Sequence, residues 1–406
     1  MGTSINMRTS IQKGKEGEEF VNDLAFKSFF KYWCYPNPLD ENGDKKEICD
    51  LLVLFKEVCI IISVKNYKND GSVSRYLNKT IKKSIKQISG AERKLFNYPR
   101  EIYIKHPNRP KEKFRKNAYS KIFRVIVNVG DIIDLQVLEA KPKLDNFITV
   151  FNREIFESVM AYLDTITDFV DYLTAREILL EKFGQSLIFG TEKDLLALYL
   201  KNHRNFPVEM LEAEANVVIL DMENKWDEFE VEFKDKVLNK KSEELASRIL
   251  DKYLEENLLE VENGPEIVRE YLTLNRFYRR MFANKLLEFI DLHKKRGGSA
   301  TGHRNFSIDK FGISFFYHGP EVSHENFIQV ALQSIMVKYS QIRKHSDEHL
   351  LGLSINNEGG VSKIMYFPSN KITPEIENFT NKTVNDLGWF RKVKEWSSSI
   401  EEYPKK

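Results

Sequence analysis

Two short segments of this chain set ionisable side chains at the ends of apolar runs. Asp50 opens the run Cys49-Asp50-Leu51-Leu52-Val53-Leu54-Phe55, and Ser63-Val64-Lys65 closes the run that starts at Cys59. An ionised group in such a place is costly unless it is paired or bound to a metal. Residues two apart on a strand point to the same side, so Ser63 and Lys65 are presented together. Twelve residues lie between Asp50 and Ser63, enough to finish one strand, turn and return beside it. Phosphodiester hydrolysis can use that arrangement. It needs carboxylates to hold a divalent ion, a cation near the attacked phosphate, and a water aligned opposite the leaving oxygen. The plainer reading of the same residues is a structural Asp50–Lys65 ion pair at a sheet edge.

Several elements must position these groups. Phe20, Val21, Leu24, Ala25 and Phe29 recur at helical spacing and predict a helix over Lys15–Lys31, with Glu18, Glu19 and Asp23 near its positive end. Pro36 and Pro38 end it or the strand that follows, and Glu41-Asn42-Gly43-Asp44 is a turn signal. Ile48–Phe55 and Val58–Lys65 read as adjacent strands across Lys56-Glu57, a hairpin. A long helix, Ser72–Phe96, follows with an apolar stripe of Leu77, Ile81, Ile85, Ile88, Ala91 and Leu95. His106–Lys116, with two prolines and five Lys/Arg, reads as an exposed basic loop. Strands at Ile122–Val129 and Phe147–Phe151 and helices at Arg153–Leu163 and Asp168–Glu181 complete a mixed α/β unit.

The formal net charge is only +2, from 62 basic and 60 acidic residues, but the charge is not evenly spread. Residues 65–124 hold 18 Lys/Arg and 4 Asp/Glu, a local +14. Residues 207–262 carry a local −10 and residues 269–304 a local +6. Blocks this unequal point to one face built for a polyanion, and Lys68, Lys79, Lys82, Lys83 and Lys86 are its candidate phosphate contacts. A composition that is 42% hydrophobic and 30% charged, over 406 residues, is that of a multi-domain globular chain. With no long apolar run and no signal-like start, neither a membrane span nor secretion is expected. Cys34, Cys49 and Cys59 are too few for a disulfide framework and read as reduced core residues of a cytoplasmic protein.

Taken together, the order of elements, Asp50 and the Ser63-Val64-Lys65 triplet resemble the PD-(D/E)xK nuclease superfamily, with its restriction-endonuclease-like fold, and within it the Mrr-like and NERD-like branch. The match covers about residues 10–185. The resemblance implies a first helix whose glutamate follows a glycine, and Gly17-Glu18 fits that place, with Val21 then on the packing face. It also implies that Glu18, Asp50 and the backbone carbonyl of Val64 ligate Mg²⁺, or Mn²⁺ in its place, while Lys65 orients the nucleophilic water and neutralises charge on the phosphate. Ser63 departs from the family, which has Asp, Glu or Gln there. Gln87 or Glu92 on the following helix are two candidate replacements. The resemblance further implies a Mg-dependent endodeoxyribonuclease with DNA, or else RNA, as substrate, and a place in prokaryotic defence against phage or foreign DNA. The competing expectation is a nucleic-acid-binding or partner-binding module that keeps the fold without the chemistry.

Beyond residue 185 the expected plan is a mostly helical region over 186–305 and a smaller α/β unit over 306–406, for sensing, targeting or oligomerisation with a protein partner or a second copy. Thr191 and Asp194 predict a capped helix to Leu200, and acidic helices fill Met222–Leu259. Ile267–His293 reads as one basic helix, Lys294–Asn305 as a mobile loop, and Gly312–Tyr317, His349–Ile355 and Lys363–Phe367 as strands around a helix at Ser323–Lys344. Three motifs compete for attention. His345-Ser346-Asp347-Glu348-His349 has the spacing of an inverted zinc-peptidase motif but leads into a strand. Gly297–Gly302 lacks the lysine of a phosphate loop, with His303 in its place. Arg276–Phe282 mixes cations and aromatics, as core packing or as a second nucleic-acid contact.

Overall fold

The computed structural model describes residues 10–67, 80–130, 147–182, 187–212, 219–259, 263–295, 302–317, 349–356, 360–368, 373–387 and 402–403. The chain is mixed α/β and divides into two units, residues 1–238 with 403–406, and residues 239–402.

The first unit is built on a five-stranded mixed sheet. Its strands are β1 (Cys34–Pro36), β2 (Leu51–Phe55), β3 (Val58–Lys65), β6 (Lys121–Asn128) and β7 (Thr149–Asn152), in that spatial order. β1, β2 and β3 are an antiparallel meander, and β6 and β7 continue the sheet parallel to β3. β3 therefore sits in the middle and is covered on both faces. All five residues of β2 are buried, and so is β3 until Lys65, as a central strand with parallel pairing requires. Helix α1 (Ser10–Phe29) packs on one face of β3. Helix α2 (Lys82–Phe96) is the crossover between β3 and β6. Its Ile88, Ala91 and Leu95 join Leu52, Leu54, Cys59, Ile61 and Ile126 in the core of the other face.

Residues 106–116 are largely exposed, as their prolines and charges suggest, but they are not loop throughout. β4 (Tyr103–Lys105) and β5 (Lys111–Lys113) form a small antiparallel hairpin. Ile104 and Phe114 bury into the α2-side core while the intervening lysines stay exposed, so two apolar anchors hold a hairpin whose second strand is wholly exposed.

The unit does not stop near residue 185. α3 (Arg153–Tyr162) and α4 (Ile166–Lys182) are followed by β8 (Leu187–Phe189), α5 (Glu192–Lys201), α6 (Val208–Glu212), β9 (Ile219–Asp221) and α7 (Lys225–Glu232). The expected Thr191–Asp194 capping box opens α5. One buried ion pair fastens α5 to α4. Arg176 Nε and Nη2 donate to Glu192 at 2.7 and 2.9 Å, and the Tyr172 hydroxyl donates to the same carboxylate at 2.6 Å.

Glu177, also on α4, is less well served. Its Oε1 is buried with no hydrogen-bond partner among the described residues, and burial pushes its carboxyl from 4.5 up to about 7, against the attraction of Arg176 and Arg124. The folded state thus holds a proton that the unfolded chain gives up at lower pH. This contribution favours folding below the ordinary carboxylate range and is lost as pH rises through about 7. Glu177→Gln is expected to be about 1–3 kcal/mol more stable than wild type at pH 8 and indistinguishable from it near pH 4.5, as read by thermal melts at both values.

In the second unit a four-stranded sheet runs β10 (Gly302–Ile308), β11 (Phe311–Tyr317), β12 (His349–Ile355), β13 (Val361–Pro368). β11 and β12 are parallel and the outer pairs antiparallel. The helices are α8 (Lys234–Leu258, beginning in the first unit), α9 (Gly264–Tyr271), α10 (Arg276–Lys295) and α11 (Pro374–Leu387). Residues 302–305 belong to β10, an edge strand, and not to a loop. Its polar residues hid it, and a continuous register with β11 supplies the order. The single helix expected over Ile267–His293 is interrupted at residues 272–275. Arg279 Nη2 and Nε donate to the Leu272 and Leu274 carbonyls at 3.0 and 2.8 Å, satisfying groups that the break frees. Arg276 and Arg279 are fully buried and share Asp251, so these two cations are core and not a surface for nucleic acid. His349 has both ring nitrogens engaged, Nε2 with Glu270 at 3.3 Å and Nδ1 with the Tyr366 hydroxyl at 2.9 Å. His345, Glu348 and the expected helix at 323–344 lie outside the described residues.

Candidate metal centre

The C-terminal end of β3 is where the expected groups meet. The antiparallel register pairs Leu51 with Ile62, so Asp50, one step earlier, stands opposite Ser63. Asp50 is buried, and its Oδ2 accepts the Val64 backbone N–H at 2.5 Å. Lys65 turns its side chain back over the same strand end. Its Nζ lies 2.7 Å from the Val64 carbonyl, 3.1 Å from Ser63 Oγ and 3.6 Å from Asp50 Oδ2. One ammonium therefore sits among three oxygens drawn from two neighbouring strands. β6 holds the strand end in place, with Val129 N–H donating to the Lys65 carbonyl at 2.7 Å.

Glu18 reaches this end from α1, and Gly17 is the reason the helix comes so close. A Cβ on Gly17 would stand 2.7 Å from Val129 Cγ2 and 3.6 Å from Val64 Cγ1, so any larger residue would push α1 away from β3. Asn66 secures the same approach by donating to the Lys13 carbonyl at 2.6 Å. The Glu18 carboxylate accepts a hydrogen bond from Asn37 Nδ2 at 3.2 Å.

Two residues join the group that the motif reading did not pick out. Glu47 is bridged to Leu39 and approaches Asp50 from the polar turn ahead of β2. Much of its side chain is open to solvent, but its carboxyl is desolvated enough to be pushed up to about 7, helped by the charge of Asp50, a hydrogen bond shared with Asp50 and the charge of Glu18, and opposed by Lys65. Desolvation is the largest cause of that rise, and the neighbouring acids Asp50 and Glu18 add to it. Asn37, between Pro36 and Pro38, donates its backbone N–H to the Asp50 carbonyl at 3.0 Å and its side-chain amide to Glu18. The only sequence signals for these two were an acid three places before Asp50 and an asparagine between prolines.

The proposed replacements for the missing acid at Ser63 stand elsewhere. Glu92 is bound to Arg124, whose Nε donates to it at 2.6 Å and whose Nη2 donates to its other oxygen. Gln87 is exposed on α2 and makes no hydrogen bond to the Asp50 group. Lys82, Lys83 and Lys86 are exposed on the N-terminal half of α2, with no ion pair among the described residues, whereas Lys94 at its C-terminal end is held by Asp40 and Asp44. Lys68 and Lys79 lie outside the described residues.

Carboxylate and carbonyl oxygens are the hard donors that Mg²⁺ and Mn²⁺ take. Among the described residues no group of three or more His, Cys, Asp or Glu side chains is arranged to hold a metal ion by itself. What stands at β3 is a smaller set, Asp50 and the Val64 carbonyl, with Glu18 and Glu47 beside it. That set suits a cation which keeps most of its own waters. Among the described residues no helix is long and apolar enough to cross a membrane. Comparison of the chain with protein-family models, with curated proteins and with solved structures finds no match.

Proposed function

We propose that the first unit is a metal-dependent nuclease of the PD-(D/E)xK type, hydrolysing DNA phosphodiester bonds. The observation that carries this reading is the meeting of Asp50, Ser63, the Val64 carbonyl and Lys65 at the ends of two adjacent strands. The order helix, antiparallel β1-β2-β3, crossover helix, parallel β6 supports it as well. In this reading Asp50, Glu18 and the Val64 carbonyl are the protein ligands of Mg²⁺ or Mn²⁺. Glu47 provides the second acid next to Asp50 that the neutral, buried Ser63 cannot. The ion would polarise a phosphoryl oxygen and lower the pKa of a bound water. Lys65 orients that water and offsets charge growing on the phosphate. Lys82, Lys83 and Lys86 grip the backbone without reading sequence, a mode of binding that weakens steeply with salt. A role in prokaryotic defence against foreign DNA follows from the family resemblance alone, as does a sensing or partner-binding role for the second unit.

Ser63 favours one competing reading, a module that binds nucleic acid without cutting it. Supercoiled plasmid and single-stranded DNA incubated with the full chain in Mg²⁺, Mn²⁺ or EDTA separate the two. Nicking or linearisation in either metal, abolished by EDTA, is the expected result. Salt-sensitive binding with intact DNA in both metals would replace the nuclease with the binding module.

A further inference from the structure

We infer that Asn37 is a positioning residue that fixes the Glu18 carboxylate relative to Asp50, an inference that rests on the metal-centre reading. Glu18 and Asp50 come from elements that share no backbone pairing, α1 and the start of β2, and a side chain on a helix surface has several rotamers open to it. Asn37 contacts both. Its backbone N–H binds the Asp50 carbonyl, and its Nδ2 binds Glu18 Oε2. The segment that carries it is itself anchored to the approach to β2, through Ile48 N–H to the Pro38 carbonyl at 2.8 Å and the bridge between Leu39 and Glu47. Asn37 thus belongs to the same ladder that presents Glu47 and Asp50, and extends it by one amide to α1.

The backbone of Asn37 is unusual for its place. Its φ is 46°, in the left-handed region, although the next residue is Pro38 and a residue before proline favours extended conformations. Asparagine tolerates the left-handed region better than most side chains, and glycine better still. If only the turn mattered, glycine would serve as well or better. Glycine, however, has no amide to offer Glu18. The choice of side chain and the choice of backbone can therefore be tested apart.

Asn37→Gly keeps the φ and the N–H to Asp50 and removes only the amide. Mn²⁺ binding by isothermal titration and Mg²⁺-dependent plasmid nicking are measured on the full chain for wild type, Asn37→Gly, Glu18→Gln and the double variant, with melting temperatures alongside. Asn37→Gly is expected to weaken Mn²⁺ binding about tenfold, the loss typical of an outer partner of a metal ligand. The same substitution in the Glu18→Gln background should add nothing, because its effect passes through Glu18. Equal Mn²⁺ affinity in wild type and Asn37→Gly would overturn the positioning role and leave the nuclease reading standing. So would a tenfold loss that persists in the Glu18→Gln background. Failure of wild type to bind Mn²⁺ at all would remove both.

Discussion

Asp50→Asn and Lys65→Met are each expected to slow Mg²⁺-dependent DNA cleavage by about 10²–10³-fold while the protein stays folded. The choice of replacements follows from the geometry. Asp50 has a structural duty besides the chemical one proposed for it, since its Oδ2 accepts the Val64 N–H at the end of a buried strand. Alanine there would leave that N–H unsatisfied, at a cost of about 1–3 kcal/mol, and would confuse loss of fold with loss of function. Asparagine keeps an acceptor of the same shape and removes only the charge. Methionine likewise keeps most of the stem of Lys65, half-buried against Ser63 and Asp50, and removes the ammonium. Initial rates of plasmid nicking, with melting temperatures as the control for folding, check the prediction. Near-wild-type cleavage by either variant would dissociate the activity from this strand end. The gentler alternative, that Asp50 and Lys65 are only an ion pair at a sheet edge, predicts altered stability with unchanged rates.

The largest effect on stability is expected from Asp251→Ala in the second unit. Asp251 Oδ2 receives Arg276 at 2.7 Å and Arg279 at 3.3 Å, and its Oδ1 receives the Tyr271 hydroxyl at 2.9 Å. Both guanidinium groups are essentially inaccessible to solvent. Removing Asp251 takes away the carboxylate that both buried guanidinium groups share, and breaking a buried pair of this kind costs about 3–5 kcal/mol. Urea unfolding is expected to show a loss of unfolding free energy of that size in the transition of residues 239–402, with a smaller loss for Asp251→Asn, which keeps two hydrogen-bond acceptor directions. A loss under 1 kcal/mol for the alanine variant would mean that the two arginines find other partners. The same geometry decides between the two readings of Arg276–Phe282 in favour of core packing for Arg276 and Arg279, and Arg279 also serves the carbonyls of the helix break behind it.

What could be read from the residues alone was whatever rests on local pattern. The β2–β3 pair follows from two β-branched runs and a two-residue turn, the helix at α1 from its spacing, and the α5 cap from Thr191 and Asp194. The core of the candidate site was legible for a related reason. A charge at the end of an apolar strand stands out, and strand alternation says which neighbour shares its side. Glu47 and Asn37 were not legible, because their role arises only when the segment after β1 folds back along the approach to β2. Glu92 misled in the opposite sense. An acid within an apolar stripe signalled an unmet need, and Arg124 on β6 meets it. The extent of the first unit was missed because the Arg176–Glu192 tie spans the point where composition alone suggested an end.

The ammonium of Lys65 has a consequence for how the protein comes into being. Tethered to the strand it serves, it gives the oxygens at that end a counter-ion that travels with the chain. Small domains whose acidic or thiolate cages are empty until a metal arrives fold only when one is supplied. On the metal-centre reading proposed above, the order of events would be reversed, with the sheet assembled first and the ion loaded afterwards. On that reading a divalent ion would meet a finished site and compete with the Lys65 ammonium for its oxygens. Occupancy would then follow the supply of metal and phosphate while the state of the fold would not.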